Sequence, residues 1–302
     1  MDTQRKEAKD MKVHTLADSC MLAVLCRKRL ATTRRVDDGT RDSIRAQLGD
    51  ESLSLSKHLF KAGPVRELLR MLDRIYDEHK QLTAPYVDRG PRLLPAAKFE
   101  DYAEVMTSHE TNLAEAAQGV IANWEQHVAD DMLARANKAT SAKAAMIDRS
   151  EYPAAHEARH MFSMTWKVKP LPAGQDFRTE VPDYVKERLA DEMNEACDIL
   201  RRDLLQRMVK PVREAVEKLK VPIGEKGSVF RDSLVENLQS ALKTAQDLNV
   251  GGDEELTAAI NEMRLIVHGH IGSPDTLRNM QDKREKAANK LAALTDTLSG
   301  LQ

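Results

Sequence analysis

Two clusters of side chains in the sequence have reactive or ligand-binding potential. The first is His156-Glu157-Ala158-Arg159-His160. On a helix, histidines at i and i+4 share a face and can hold Zn²⁺ together, while the Glu beside them activates a bound water. That pattern would make the chain a zinc-dependent hydrolase with His156 and His160 as ligands. Its surroundings argue against the chemistry. Such a helix is buried and uncharged before its second histidine, where this chain has Arg159. A third ligand in the metzincin manner would need glycine at Ser163 and histidine at Trp166. Glu180 lies at a gluzincin-like separation, but Val181-Pro182 follows it and no helical pattern surrounds it. The helix also has room for only about two turns before a strand-like segment begins. A partly exposed helix terminus is the better reading, and no metal or other cofactor is expected.

The second group is basic. Arg27, Lys28, Arg29, Arg34 and Arg35 form the densest run of cations in the chain. If the segment is a strand, side-chain alternation places positive charge on both of its faces. Lys167 and Lys169 on a second strand would add to that surface, and Trp166 would offer a flat ring. Cations with an interleaved aromatic hold single-stranded nucleic acid by phosphate contact and base stacking. The competing reading is plain packing. Trp166 is in phase with Phe162 and Met164, which makes it a core residue, and surface cations commonly pair with acids.

Other residues carry less. Asp88, Arg89 and Arg92 lie in a Pro-rich stretch and read as structural charges that satisfy backbone groups. Cys197 sits on an apolar helical face and reads as core. His268 and His270 flank Gly269 at a helix end, where imidazole suits the dipole. No phosphate-binding Gly-rich loop, nucleophile elbow or convincing carboxylate pair is present, so a non-enzymatic role is expected.

The elements that must position these groups follow from periodicity. Residues 1–12 read as a frayed charged tail. Met21 to Val36 reads as strand-like, with a helix over about 21–30 as the competitor, and Asp37-Asp38-Gly39 as the turn that ends it. Residues 40–61 read as one or two short helices interrupted at Gly49-Asp50. Gly63-Pro64 opens a helix with Val65, Leu68, Leu69, Leu72, Ile75 and Tyr76 on its apolar stripe. Thr83 to Pro95 reads as an ordered loop. A single helix is expected from Ala96 to near 138, with Phe99, Tyr102, Met106, Leu113, Ala117, Val120, Trp124 and Val128 buried and His109 at the seam. At about 1.5 Å per residue it would span roughly 60 Å, so it reads as one arm of a helical hairpin or coiled coil over about 64–138. Phe162, Met164, Trp166 and Val168 alternate with polar residues, giving a strand over about 161–172. Its natural partner is 21–36. From 181 to 302 the pattern is a helical bundle, with Pro211 expected to kink or break its first helix, Ser228 or Asp232 and then Asp253 as caps, and one last helix from Ser273-Pro274 to Gly300.

Composition agrees. The chain has 302 residues, 31% of them charged and 4% aromatic, with 13 Gly and 11 Pro. Few aromatics and many charges favour long helices with wet outer faces. No apolar run is long enough for a membrane helix, and the first residues lack the apolar segment of a signal peptide. Cys20, Cys26 and Cys197 form no CxxC, so a reducing compartment is expected. The formal net charge of −2 excludes a uniformly basic surface but leaves room for a local stripe.

A resemblance adds to this. Asp88-Arg89-Gly90-Pro91-Arg92-Leu93-Leu94-Pro95-Ala96-Ala97-Lys98-Phe99-Glu100-Asp101-Tyr102, with Trp166-Lys167-Val168-Lys169-Pro170-Leu171-Pro172, Asp176-Phe177-Arg178 and Phe230-Arg231-Asp232-Ser233-Leu234-Val235-Glu236-Asn237, resembles blocks of an uncharacterised protein family of tailed bacteriophages and mobile elements. Members of that family accompany MoxR-type AAA+ ATPases. The similarity runs over about 60–300. It implies a host-cytoplasmic phage protein and an AAA+ ATPase partner, and it transfers no catalytic residue. Glu157 and Arg159 fit the family pattern better than His156 and His160 do.

The expected architecture is therefore mainly α. It has a 13–180 region with a small antiparallel β element and a long helical hairpin, then a 181–302 helical bundle. Amphipathic helices of this length favour a homo-oligomer. The functional expectation is a non-enzymatic binder of single-stranded DNA through the basic strand, away from membranes. The alternatives are a helical adaptor for a partner such as an AAA+ ATPase and, disfavoured, the zinc hydrolase.

Overall fold

The computed structural model describes residues 16–137, 148–171, 182–226, 231–250, 253–271 and 274–301. The tail expected over 1–12 and the caps expected at Ser228 and Ser273 lie outside them. In chain order the elements are β1 (Cys20–Arg29), β2 (Thr33–Arg35), α1 (Asp38–Leu48), β3 (Ser56–His58), α2 (Pro64–Leu82), β4 (Ala84–Pro85), β5 (Arg92–Pro95), α3 (Phe99–Ala122), α4 (Trp124–Ala136), α5 (Ala155–Ala158), β6 (Phe162–Pro170), α6 (Asp183–Leu219), α7 (Asp232–Leu248), α8 (Glu254–Ile266), α9 (Pro274–Asn279) and α10 (Gln281–Gly300). The fold is mainly helical, as expected. No helix among the described residues is long and apolar enough to cross a membrane.

Chain contacts define two compact units that interleave along the sequence. One holds the described residues of 1–24, 80–102 and 167–302, the other those of 25–79 and 103–166. In the first unit α6 packs against α7 and α10. Leu204, Met208, Val212, Leu238, Leu242, Met263, Leu291 and Leu294 share one core with Cys20, Leu22, Ala84 and Leu93 from the strands. Helix α6 is continuous through Pro211, where a kink or break was expected. Met208, Val209 and Val212 are all buried around the proline, so packing on both sides of it holds the helix where propensity alone would end it.

Arginines close the helix ends of this unit. Arg284 is 1% exposed and donates from Nη2 to Lys218 O at 2.6 Å and from Nε to Leu219 O at 3.2 Å. A buried cation thus satisfies carbonyls at the C-terminus of α6. Arg92 donates to Thr83 Oγ1 and O at 2.7 and 3.0 Å, while Arg207 donates to Lys80 O and Thr83 O, both at 2.9 Å. Asp203 Oδ2 lies 2.7 Å from Arg207 Nε as the counter-ion, and burial raises its pKa against the pull of that arginine. Arg92 therefore has the structural role read from the sequence.

The main sheet has the strand order β4-β5-β1-β6 and is antiparallel, so β1 lies beside β6 as expected. Cys20 pairs with Pro95 and Ala23 with Arg92, while Ala84 pairs with Leu93. The stretch expected to be a loop is hence partly a β4–β5 hairpin. Pro85 is tolerated because β4 is an edge strand, and Gly90 turns the connection at φ +114°.

In the second unit, β2 and β3 form a separate antiparallel ribbon. Only α1 of the helices expected in 40–61 forms; it ends at Gly49 in the left-handed conformation. His109 Nε2 of α3 lies 2.6 Å from Glu78 Oε2 of α2. The single helix expected from 96 to near 138 is divided at Asn123, whose Nδ2 donates back to Gly119 O at 3.2 Å. Gly and Asn are weak helix formers, and Trp124 just beyond is held by an indole N–H bond to Pro153 O at 2.9 Å. The last helix expected in the other unit is also divided, into α9 and α10, at an extended Met280. The cap expected for α7 at Asp232 is one residue earlier, at Arg231, without a side-chain bond. Asp253 caps α8 as expected, accepting from Leu256 N at 2.9 Å.

Candidate nucleic-acid interface

The histidine motif does not assemble. Helix α5 ends at Ala158, and His160 lies in the turn beyond it, its N–H bonded to Glu157 O three residues back. An i+3 turn rotates His160 off the face that an α-helix would share with His156. Glu157, the would-be base, accepts from Ala154 N at 3.0 Å and so closes the helix N-terminus. Both histidines are exposed, and the described residues contain no group of three metal-ligating side chains.

The basic run is sorted by strand alternation. Arg27 donates from Nη1 to Leu72 O at 2.7 Å, and its guanidinium lies 4.0 Å from the Tyr76 ring centroid. Arg29, two residues on, pairs with Asp73 of the same helix, α2. Lys28, between them, is exposed. Arg34 donates from Nε to Glu151 O at 3.0 Å and from Nη1 to Ala31 O at 2.7 Å. Arg35 is exposed. Neither Lys28 nor Arg35 has an acidic partner among the described residues. Arg27, Arg29 and Arg34, expected on the phosphate-contacting surface, are thus engaged within their own unit.

On β6, Phe162 and Met164 are buried and Trp166 is half-buried, so the tryptophan keeps the core phase without being enclosed. Lys167 and Lys169 are exposed.

The β2–β3 ribbon has two different faces. Its register pairs Thr33 with His58, Arg34 with Lys57 and Arg35 with Ser56. Directly opposed residues of an antiparallel pair share a face. Arg34 and Lys57 are half-buried, and both reach Glu151, through its carbonyl and its Oε1 respectively. Thr33, Arg35, Ser56 and His58 are exposed on the other side. Thr33 Oγ1 lies 3.2 Å from His58 Nδ1. The ribbon is anchored through Phe60, two residues past β3, whose ring centroid is 5.3 Å from those of Trp124 and Tyr152. Phe60 holds φ +50°, uncommon for a bulky residue, and aromatic burial offsets that strain.

Ser56, His58 and the hub Glu151 were not read from the sequence. The signal for β3 was present: Leu53, Leu55 and Leu59 alternate with Ser54, Ser56 and His58, with Lys57 in the apolar phase. Glu151 left no sequence signal, because its role depends on a contact 117 residues from Arg34.

No family model matches the chain, and neither a curated protein nor a solved structure is significantly similar to it.

Proposed function

We propose that the protein is a non-enzymatic binder of nucleic acid, single-stranded in preference, that contacts phosphates through outward-facing cations of its β strands. The observation that carries this reading is that Lys28 and Arg35 remain exposed and unmatched by acids among the described residues, while Arg27 and Arg29 share Asp73 and Arg34 is held by backbone carbonyls. Exposed Lys167 and Lys169 support it. Each phosphate neutralised on a single strand contributes about −0.7 to the slope of log K against log salt, so these cations support a shallow slope, no steeper than about −3. Fluorescence anisotropy of a labelled single-stranded oligonucleotide over a salt series tests it. Binding at low salt with that slope supports the reading, and no binding at low salt overturns it.

One observation favours the adaptor reading. Residues 99–134, covering α3 and most of α4, carry eight carboxylates and no Lys or Arg. That segment repels phosphate and suits a partner protein with a basic surface, in line with the AAA+ ATPase that the phage-family resemblance implies. Homo-oligomer formation belongs to the same reading. Light scattering with and without the oligonucleotide separates the two: a protein that self-assembles and ignores the oligonucleotide is an adaptor.

A further inference from the structure

We infer that the outer face of the β2–β3 ribbon is a phosphate-oxyanion site built by Thr33, Arg35, Ser56 and His58. This inference deepens the nucleic-acid reading and takes the nucleic-acid backbone as the source of the phosphate. The register places the four on one face, His58 opposite Thr33 and Ser56 opposite Arg35. Opposed Cβ atoms are about 5 Å apart and alternate residues along a strand about 7 Å apart, so the four side chains surround an area that one tetrahedral oxyanion can occupy. To an anion they offer the Arg35 guanidinium, the Ser56 hydroxyl and the His58 ring, with the Thr33 hydroxyl orienting that ring, and no carboxylate. With the Thr33 hydroxyl donating to His58 Nδ1, the ring proton sits on Nε2 and is left for a ligand. Arg35 supplies the planar fork that matches two phosphate oxygens.

The face is also held in place. A slip of one residue would turn Arg35 and His58 inward. Arg34 and Lys57, both tied to Glu151, oppose that slip from the other side. Phe60 fixes the chain just past β3 by packing on Trp124 and Tyr152. A two-stranded ribbon with pinned register is a preorganised donor set, so the ligand does not have to order it.

The test uses the full chain, with side-chain resonances of His58 and Arg35 followed by NMR while inorganic phosphate and then a single-stranded oligonucleotide are added. Phosphate is expected to move both side chains, and Arg35→Gln/His58→Gln should abolish the response and weaken oligonucleotide binding about tenfold. Both substitutions are at exposed positions, so folding is retained. Arg70→Gln, at an exposed position of α2, is expected to leave the phosphate response intact. A His58 resonance that phosphate does not move overturns the site. An oligonucleotide bound equally by the wild type and the double variant also overturns it, while leaving the nucleic-acid reading standing. A phosphate response without oligonucleotide binding upholds the site with a free phosphate or phosphate ester as its source, and overturns the nucleic-acid reading alone.

Discussion

Arg34 and Arg35 are neighbours in sequence and lie on opposite faces of one ribbon. Arg34 turns inward, where Ala31 O and Glu151 O accept its hydrogen bonds. Arg35 turns outward beside Ser56 and His58. The end of β1 shows a weaker contrast: Arg27, half-buried, and Arg29, itself exposed, hold Leu72 and Asp73 of α2, while Lys28 between them is exposed with no acidic partner among the described residues. Basic density along a sequence therefore does not map a binding surface. Residue parity decides which cations are held, because Arg27, Arg29 and Arg34 are engaged by backbone carbonyls and by Asp73.

Several substitutions can break this contrast or sharpen it. The largest effect is expected at the anchor. Trp124→Ala removes a fully buried ring that contacts Phe60 and Phe162, and should cost about 3–5 kcal/mol by chemical denaturation. Ribbon function should fall with it. Glu151→Ala removes the carboxylate that Lys57 bonds on the inner face and should cost about 2 kcal/mol, read as a lowered denaturation midpoint. A neutral outcome would show that the inner face is not what fixes the ribbon. Arg27→Ala loses a charged hydrogen bond and the Tyr76 stacking, about 1–2 kcal/mol of stability, with oligonucleotide affinity unchanged.

A pH series tests the anchor in another way. Burial, reinforced by the hydrogen bond to Asp131 and opposed by Arg135, pushes the Tyr152 hydroxyl up to about 12. The unfolded chain releases that proton near the ordinary tyrosine value of about 10. The folded state thus binds more protons across that interval. Stability is at its full value below about pH 10 and is lost as pH climbs toward 12. Tyr152→Phe should flatten that alkaline loss in denaturation midpoints measured across the interval. The smallest expected stability change is at the outer face: Arg35→Ala should alter stability by less than about 0.5 kcal/mol.

Much of the fold was legible because it follows from local period. The stripe from Leu113 to Val128 is buried as its three-and-four spacing requires, and the alternation of Phe162 and Met164 places β6 beside β1. The misses arise where tertiary packing outweighs local preference. Pro211 remains inside a helix because Met208, Val209 and Val212 are buried around it. The Pro-rich segment forms a hairpin because β5 has β1 to pair with. The candidate site was half legible. Arg35 and Lys28 stood in the run read as basic, but nothing local distinguished them from Arg34 and Arg27. That distinction depends on Glu151 and on α2, which the chain brings in from elsewhere.

Two double variants, Lys28→Ala/Arg35→Ala and Arg27→Ala/Arg34→Ala, separate binding from holding when each is measured for oligonucleotide affinity at low salt and for denaturation midpoint. The outward pair should weaken binding and leave the midpoint unchanged, and the inward pair should lower the midpoint and leave binding unchanged wherever the protein is folded. Equal loss of binding from both pairs, or from neither, would contradict the division of the basic run into binding and holding residues.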